Sequence, residues 1–240
     1  MTSRACFAGL LACVVLLVGA APAASDPPRS VSSYYLGRGD PRLCPSPICG
    51  GVWVRLVNRK VTSCDGRGIA RSECYVADVD LSRIPISEQA RANLGGLVAS
   101  GRALARGTIV VGRVEGFPEL ATLLVSEVWP ASSSPRTPEG HFRLLRDNGV
   151  RCVTTPCFSI HAAVVNFGSH VNVSRVDLSG TGAPPPEKRC VSVHIGTDRL
   201  IAAGRIAPDP GAGPAGTGRV FIATQFYIRR NLVQPPLCIG

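Results

Sequence analysis

Apolar and polar residues alternate with period two in several short runs along the chain. VWVRLV at 52–57 sets Val52, Val54 and Leu56 against Trp53, Arg55 and Val57, and CYVADVDL at 74–81 alternates in the same way. Alternation rich in β-branched and aromatic residues predicts half-buried strands. Tyr34 to Leu36, TIVVGRVEG and ATLLVSEVW read as strands before residue 130, and FSIHAAVVN, VNVSRVDLS, LIAAGRIA and RVFIATQFYI after it. Pro85-Ile86-Ser87 opens a different pattern, with Ala90, Leu94, Leu97 and Val98 near one helical face. Ser87 is positioned to cap that helix, Glu88 puts negative charge in its first turn, and Gly101 stops it. Gly95-Gly96 weakens the helix, since each glycine costs about 1 kcal/mol against alanine. CVSVHI at 190–195 alternates too, so a strand is expected at the place where the first part of the chain has its helix.

The runs recur. Leu36, Arg38, Cys44, Cys49, Val57 and Asn58 land 108 residues later on Leu144, Arg146, Cys152, Cys157, Val165 and Asn166 without a gap. Val79-Asp80-Leu81-Ser82 returns as Val176-Asp177-Leu178-Ser179, TIVVGRV (108–114) aligns with LIAAGRI (200–206), and VSEVW (125–129) with ATQFY (223–227). Blocks in one order mean a duplicated unit of roughly a hundred residues, long enough to bury its own core. The expected fold is mainly β, of the α+β class: two tandem homologous β-rich units, each of about five strands with at most one helix, stapled by disulfides. The segments are a leader at 1–23, a polar lead-in at 24–33, a first unit at 34–129, a Pro/Ser linker at 130–138 and a second unit at 139–240. Whether the two units pack as one body is left open.

Arg4, the apolar run Ala5–Ala21 and the small-residue pattern Ala21-Pro22-Ala23 read as a secretory signal peptide. The run is shorter than the roughly 20 residues that span a bilayer, and no later segment is long enough either. Leu10-Leu11-Ala12-Cys13 resembles a lipoprotein box, but apolar residues rather than a polar linker follow Cys13. Cleavage leaves Cys44, Cys49, Cys64, Cys74, Cys152, Cys157, Cys190 and Cys238, and an even number in an exported chain implies disulfides. The repeat suggests Cys44–Cys49 and Cys152–Cys157 as matched pairs, with Cys64–Cys74 closing an insert of the first unit and Cys190–Cys238 pinning the tail. The rival is a zinc site, but zinc pairs favour two intervening residues where these have four. No cofactor or metal is expected, and the protein is expected to be secreted or periplasmic.

The formal net charge of +10 raises the question of nucleic acid. Lys60 and Lys188 are the only lysines, however, and no basic run is interleaved with aromatics, so the arginine excess reads as compositional bias and nucleic acid is not expected. His141, His161, His170 and His194 show neither the i, i+4 spacing of a helical metal site nor a neighbouring nucleophile motif. Asp80 and Asp177 read as turn caps, with carboxylate hydrolysis as the alternative. Asn58 and Asn166 read as strand-ending residues in left-handed conformation that bond their own backbone. Arg113 and Arg205 are possible ion-pair partners of Asp80 and Asp177.

With the Cys-x4-Cys-Gly-Gly stretch at 44–51 and Asn-Gly-Val-Arg-Cys-x4-Cys-Phe-Ser at 148–159 in view, the chain resembles an uncharacterised family of secreted bacterial proteins best known from myxobacteria. The resemblance implies export and supplies no activity or site. Taken together, the expectation is a non-enzymatic, disulfide-stabilised module that binds a protein or glycan at the cell envelope. One alternative is a protease inhibitor presenting Pro45, Ser46, Pro47 and Ile48, or the matched loop Val153–Pro156, between cysteines. The other is a hydrolase using Asp80 or Asp177.

Overall fold

The computed structural model describes residues 32–65, 68–134, 136–197 and 200–229. The leader at 1–23, the lead-in as far as residue 31 and Cys238 lie outside them. The elements run β1 (Ser33–Gly39), β2 (Val52–Leu56), β3 (Thr62–Ser63), β4 (Ala70–Arg71), β5 (Cys74–Val76), β6 (Asp78–Asp80) and α1 (Glu88–Ala99). They continue with β7 (Ala103–Val111), β8 (Ala121–Pro130), β9 (His141–Asp147), β10 (Ile160–Val164), β11 (His170–Val173) and β12 (Arg175–Asp177). A 3-10 turn (Ser179–Thr181), α2 (Pro185–Ile195), β13 (Leu200–Asp209) and β14 (Gly218–Ile228) complete the order.

Two six-stranded sheets result, in the orders β5-β2-β1-β7-β8-β6 and β11-β10-β9-β13-β14-β12. Only Ala77 separates β5 from β6, yet they occupy opposite edges of the first sheet. One strand path therefore pairs with β2 through its first half and, after a break at Ala77, runs parallel to β8 through its second. The Ala77 N–H donates to Ala121 O at 2.8 Å, which joins the edges. Ser174 does the same between β11 and β12, its N–H meeting Arg219 O at 2.8 Å. Each sheet thus closes into a five-path barrel with a helix between the third and fourth paths. Such closure removes exposed edges, and the connectivity is that of the OB-fold, a Greek-key barrel.

A bulge bends the long hairpin of each barrel at the same place. Pairing shifts between Arg106 and Gly107 in β7, and between Ala203 and Gly204 in β13. The extra residue opposite, Ser126 or Thr224, donates its hydroxyl to Arg106 O (3.1 Å) or Ala203 O (3.2 Å). A Cβ on Gly107 would fall 2.2 Å from Leu124 O, and one on Gly204 2.1 Å from Ile222 O, so only glycine lets the strands cross there. By strand position Gly107 corresponds to Gly204. The expected alignment of TIVVGRV with LIAAGRI is therefore five residues out, and Arg205 stands opposite Thr108 rather than Arg113. Two apolar runs slide past one another without penalty in sequence; the cross-strand clash decides their register.

Three clusters of buried side chains divide the interior. One fills the first barrel, from Tyr35, Val54, Val76, Leu123 and Val125 to Leu94 and Val98 of α1. A second fills the other barrel, from Leu145, Ala162, Phe221 and Phe226 to Val191 of α2. The third lies between the barrels and joins Val57, Leu104 and Trp129 to Phe142, Val165, Ile201 and Tyr227. Trp129 and Tyr227 are 1% and 0% exposed, which makes the two barrels one body. Within 130–138, expected as a linker, Pro130 ends β8, and Ser132 and Ser134 are bonded to the second barrel. Ser132 N–H donates to Phe226 O at 2.8 Å, and the buried Gln225 binds Ser132 Oγ and Ser134 O.

Helix α1 begins at Ser87, whose hydroxyl accepts from Ala90 N, as expected. The strand expected at 190–195 is instead the second half of α2. Pro185 and Pro186 sit in its first turn, where their fixed φ favours a helix and their missing N–H costs nothing. Cys190, Val191 and His194 then fall on its buried side. Six residues are too few to separate the two periods.

Asn58 and Asn166 have φ of +62° and +60°, as expected of asparagines closing a turn. Their side chains do not bond their own turn. The Asn58 Nδ2 donates to Phe142 O (2.8 Å) and Val165 O (3.0 Å), and Phe142 N–H donates back to Asn58 Oδ1 (2.9 Å). The Asn166 Nδ2 donates to Tyr34 O (2.8 Å) and Val57 O (3.0 Å), and Tyr34 N–H donates to Asn166 Oδ1 (2.9 Å). Each barrel thereby completes the backbone of the other. The substitution Asn58→Asp keeps the turn conformation and the acceptor but sets a carboxylate against two carbonyls, and is expected to cost about 2–4 kcal/mol in urea denaturation. Asn58→Gly keeps the turn and loses all three bonds, and is expected to fall in the same range; a loss below about 0.5 kcal/mol for both would show that the clamp contributes nothing.

Candidate functional site

Residues that alternate inward along β2 and β5 fill the first barrel, so their neighbours are turned to its outside. Register pairs Arg38 of β1 with Trp53 of β2, and Trp53 with Tyr75 of β5. The three form a ladder across the outer face. The Trp53 and Tyr75 rings lie 5.6 Å apart between centroids, tilted by 58°. The Arg38 guanidinium sits 5.4 Å from the Trp53 centroid, and Arg42 sits 5.3 Å from Trp53 and 4.6 Å from Tyr75. Each guanidinium is also paired with a carboxylate, Arg38 with Glu73 (2.6 Å) and Arg42 with Asp40 (2.9 Å). The hydrogen bond from Arg42, aided by Trp53 Nε1, holds the Asp40 carboxyl far below the usual carboxylate range.

The loop between β1 and β2 forms the rim of this face. The Cys44–Cys49 disulfide closes it, and Cys49 N–H donates to Pro45 O at 3.2 Å. Tyr75 OH donates to Pro47 O (2.7 Å) and accepts from Gly51 N–H (3.2 Å), while Arg42 donates to Ile48 O (2.9 Å). Pro45, Ser46 and Ile48 are exposed, as is Leu43. The aromatic ladder thus holds the loop from below and the disulfide closes it from the side.

The same positions of the second barrel carry different chemistry. Arg146, His161 and Asn172 occupy the ladder, and His161 and His170 lie 4.4 Å apart between ring centroids. The loop from β9 to β10 is closed by Cys152–Cys157 and clasped by Asp147, whose carboxylate takes Arg151 NH2 (2.6 Å) and Gly149 N–H (2.7 Å). Its Thr155 O accepts Ala215 N–H at 2.8 Å, so the loop leans on residues 210–217.

Asp80 and Asp177 cap turns. Each accepts the backbone N–H of the serine two residues on, Ser82 or Ser179, at 2.8 Å. The serine's hydroxyl and N–H hold Asp80, and its N–H and hydroxyl Asp177, below the usual carboxylate value. The charges around Asp80 include Arg113, but Asp177 has Arg175 and Lys188 beside it rather than the expected Arg205. Cys64–Cys74 pairs as expected. Cys190 is disulfide-bonded, and its expected mate Cys238 lies outside the described residues. Among the described residues no three His, Cys, Asp or Glu side chains converge on a point that could hold a metal ion, and no helix is long and apolar enough to cross a membrane.

A family model described as "Domain of unknown function (DUF6748)" matches residues 33–232. The chain belongs to this family. The matched span of the DUF6748 chain starts on the first residue of β1 and runs through both barrels, so the pair together is the family's unit. No curated protein and no solved structure matches the chain.

The cysteine spacing of this DUF6748 protein points to the loop 45–48 but not to the ladder beneath it. The signal was present in the alternation that put Trp53 opposite Val52 and Val54. What was missing was the pairing that sets Arg38 and Tyr75 on either side. The three disulfides with both cysteines among the described residues fit an oxidising compartment.

The pH response of the second clasp follows from its charge. The bonds from Arg151 and Gly149 lower Asp147 from 3.8 to about 2. A carboxyl depressed in the folded state stabilises above its unfolded value and loses that contribution as pH falls through the folded one. Thermal melts are expected to show wild type above Asp147→Asn at neutral pH, with the difference shrinking from about pH 4 to about pH 2 and gone below. A difference independent of pH would remove the charge from the account.

Proposed function

We propose that the protein is an exported binding module that performs no catalysis, and that its working surface is the outer face of β2 and β5 with the loop 40–51 as rim. The observation that carries this reading is the Arg38–Trp53–Tyr75 ladder: two half-exposed aromatic rings and two paired guanidinium groups held in fixed positions under a disulfide-closed loop. Pre-organised aromatic and arginine side chains lose little freedom on binding, which is what a recognition surface needs. In OB-type barrels the second and third strands and the loop after the first strand are a common ligand face, and this support is an analogy of fold.

On this reading the two barrels are tandem copies. Shared strand order, shared bulge glycines and the reciprocal asparagines support that origin. The clamp residues agree between copies, Val57-Asn58 with Val165-Asn166, whereas the ladder reads Arg-Trp-Tyr in one and Arg-His-Asn in the other. Structural duties have been kept while the two faces have diverged, as two surfaces with different ligands would. The leader read from the sequence at 1–23 and the disulfides support a module at the cell envelope or outside it, with a protein or a glycan as partner.

The inhibitor reading is weaker. A bait segment lies extended and offers its main-chain groups to the protease, whereas residues 45–48 form a turn whose carbonyls at Pro45, Pro47 and Ile48 already accept bonds. The hydrolase reading is weaker still, since Asp80 and Asp177 are held ionised in turns, the opposite of a general acid.

Retention on an envelope fraction of the source organism tests the proposal. The variant Trp53→His adopts the residue found at the matched position of the second barrel, so the barrel should tolerate it. Wild type is expected to be retained and W53H to be retained at least about tenfold less, with unchanged melting behaviour. Equal retention of wild type, W53H and Tyr75→Ala would refute the assignment of this face.

A further inference from the structure

We infer that the Arg38–Trp53–Tyr75 face takes a saccharide; this rests on the binding reading above and specifies its ligand. Two features of the ladder select this chemistry. The first is the apolar part. Trp53 and Tyr75 stand on adjacent strands, tilted by 58° to one another and flanked by Arg42, and both rings remain partly open to solvent. Flat rings with an apolar body and a polar edge suit the C–H face of a sugar.

The second is the charge balance. Although the chain has a formal net charge of +10, Arg38 and Arg42 are each matched by a carboxylate, Glu73 and Asp40, so these four side chains sum to zero (+2 − 2). A nucleic acid or other polyanion binds by replacing counterions on unneutralised cations, and here both guanidinium groups are already neutralised, one of them by the solvent-reaching Glu73. A phosphate oxygen only accepts hydrogen bonds, whereas a sugar hydroxyl both donates and accepts. The exposed donors of Arg38 and Arg42 together with the acceptor Glu73 therefore complement a polyhydroxyl surface. Arg38 and Arg42 side chains are 52% and 44% exposed and that of Glu73 25%, so these three reach solvent, whereas Asp40, at 0%, serves only to neutralise and position Arg42.

The second barrel supplies an internal control. With His161 and Asn172 where Trp53 and Tyr75 stand, its face offers the smaller, more polar imidazoles of His161 and His170 in place of the Trp53 and Tyr75 rings, and the saccharide site belongs to the first barrel.

The test uses the full mature chain on three preparations of the same envelope fraction: untreated, oxidised with periodate to cleave vicinal diols, and digested with a broad protease. Retention of wild type is expected to survive protease, to fall at least about tenfold after periodate and after W53H, and to change less than about twofold between 50 and 500 mM salt. Retention that depends on Trp53 but is lost to protease and kept after periodate would show a protein ligand and overturn the saccharide inference while leaving the binding face intact. Retention that collapses with salt and is competed by single-stranded DNA would overturn it in favour of a nucleic acid. No retention, or retention indifferent to W53H, would overturn the face itself.

Discussion

The reciprocal clamp of Asn58 and Asn166 sets the relation on which the rest of the molecule depends. Each asparagine sits where a strand turns, in a left-handed conformation that few residues adopt, and sends its amide into the opposite barrel. There it meets backbone groups of Tyr34 and Val57, or of Phe142 and Val165, at the mouth between the first two strands. Those groups face the partly buried seam between barrels, and leaving them unpaired would cost about 1–3 kcal/mol each. Arg59 strengthens the seam by bonding Asn166 O at 2.7 Å and stacking 3.6 Å from the Phe167 ring. The clamp aligns Trp129, Tyr227, Phe142 and Ile201 so that they pack, and the packing keeps water from the clamp.

From that relation follows which surfaces are used and which remain open. The helix after the third strand path plugs each barrel, the bulge glycines bend the long hairpins into closure, and the seam covers the outer side of β1, β7 and β8 against β9, β13 and β14. The outer faces of β2 with β5 and of β10 with β11 are left to solvent. Both carry polar and aromatic groups at positions where the opposite side of the same strands carries core residues. A face that only needed to be soluble would not require two aromatic rings in contact with two guanidinium groups, each guanidinium fixed by its own carboxylate.

The arginine excess reads differently once partners are known. Arg38, Arg42, Arg106, Arg151, Arg175 and Arg229 all pair with carboxylates, and several stack on aromatic rings. Arginine is suited to this double duty because its planar group can bond an acid at the edge and lie on a ring with its face. Pairing fixes these six arginines in place and leaves the net charge of +10 unchanged.

The strands, the Ser87 cap, the turn roles of Asp80 and Asp177, the left-handed asparagines and the pairs Cys44–Cys49, Cys64–Cys74 and Cys152–Cys157 could be read from the chain because their causes are local. Alternation, side-chain capping and short loop closure act over a few residues. Closure of each sheet through the breaks at Ala77 and Ser174, the register of β7 against β13 and the helix at 185–195 depended on residues distant in sequence. The same is true of the direction of the Asn58 and Asn166 amides and of the ladder itself. A strand of apolar residues does not specify its neighbour, and a hydrogen bond between Asn58 and Phe142 has no trace in either residue's surroundings along the chain. Tertiary pairing decided these because each is a contact between segments that meet only when the barrels have closed.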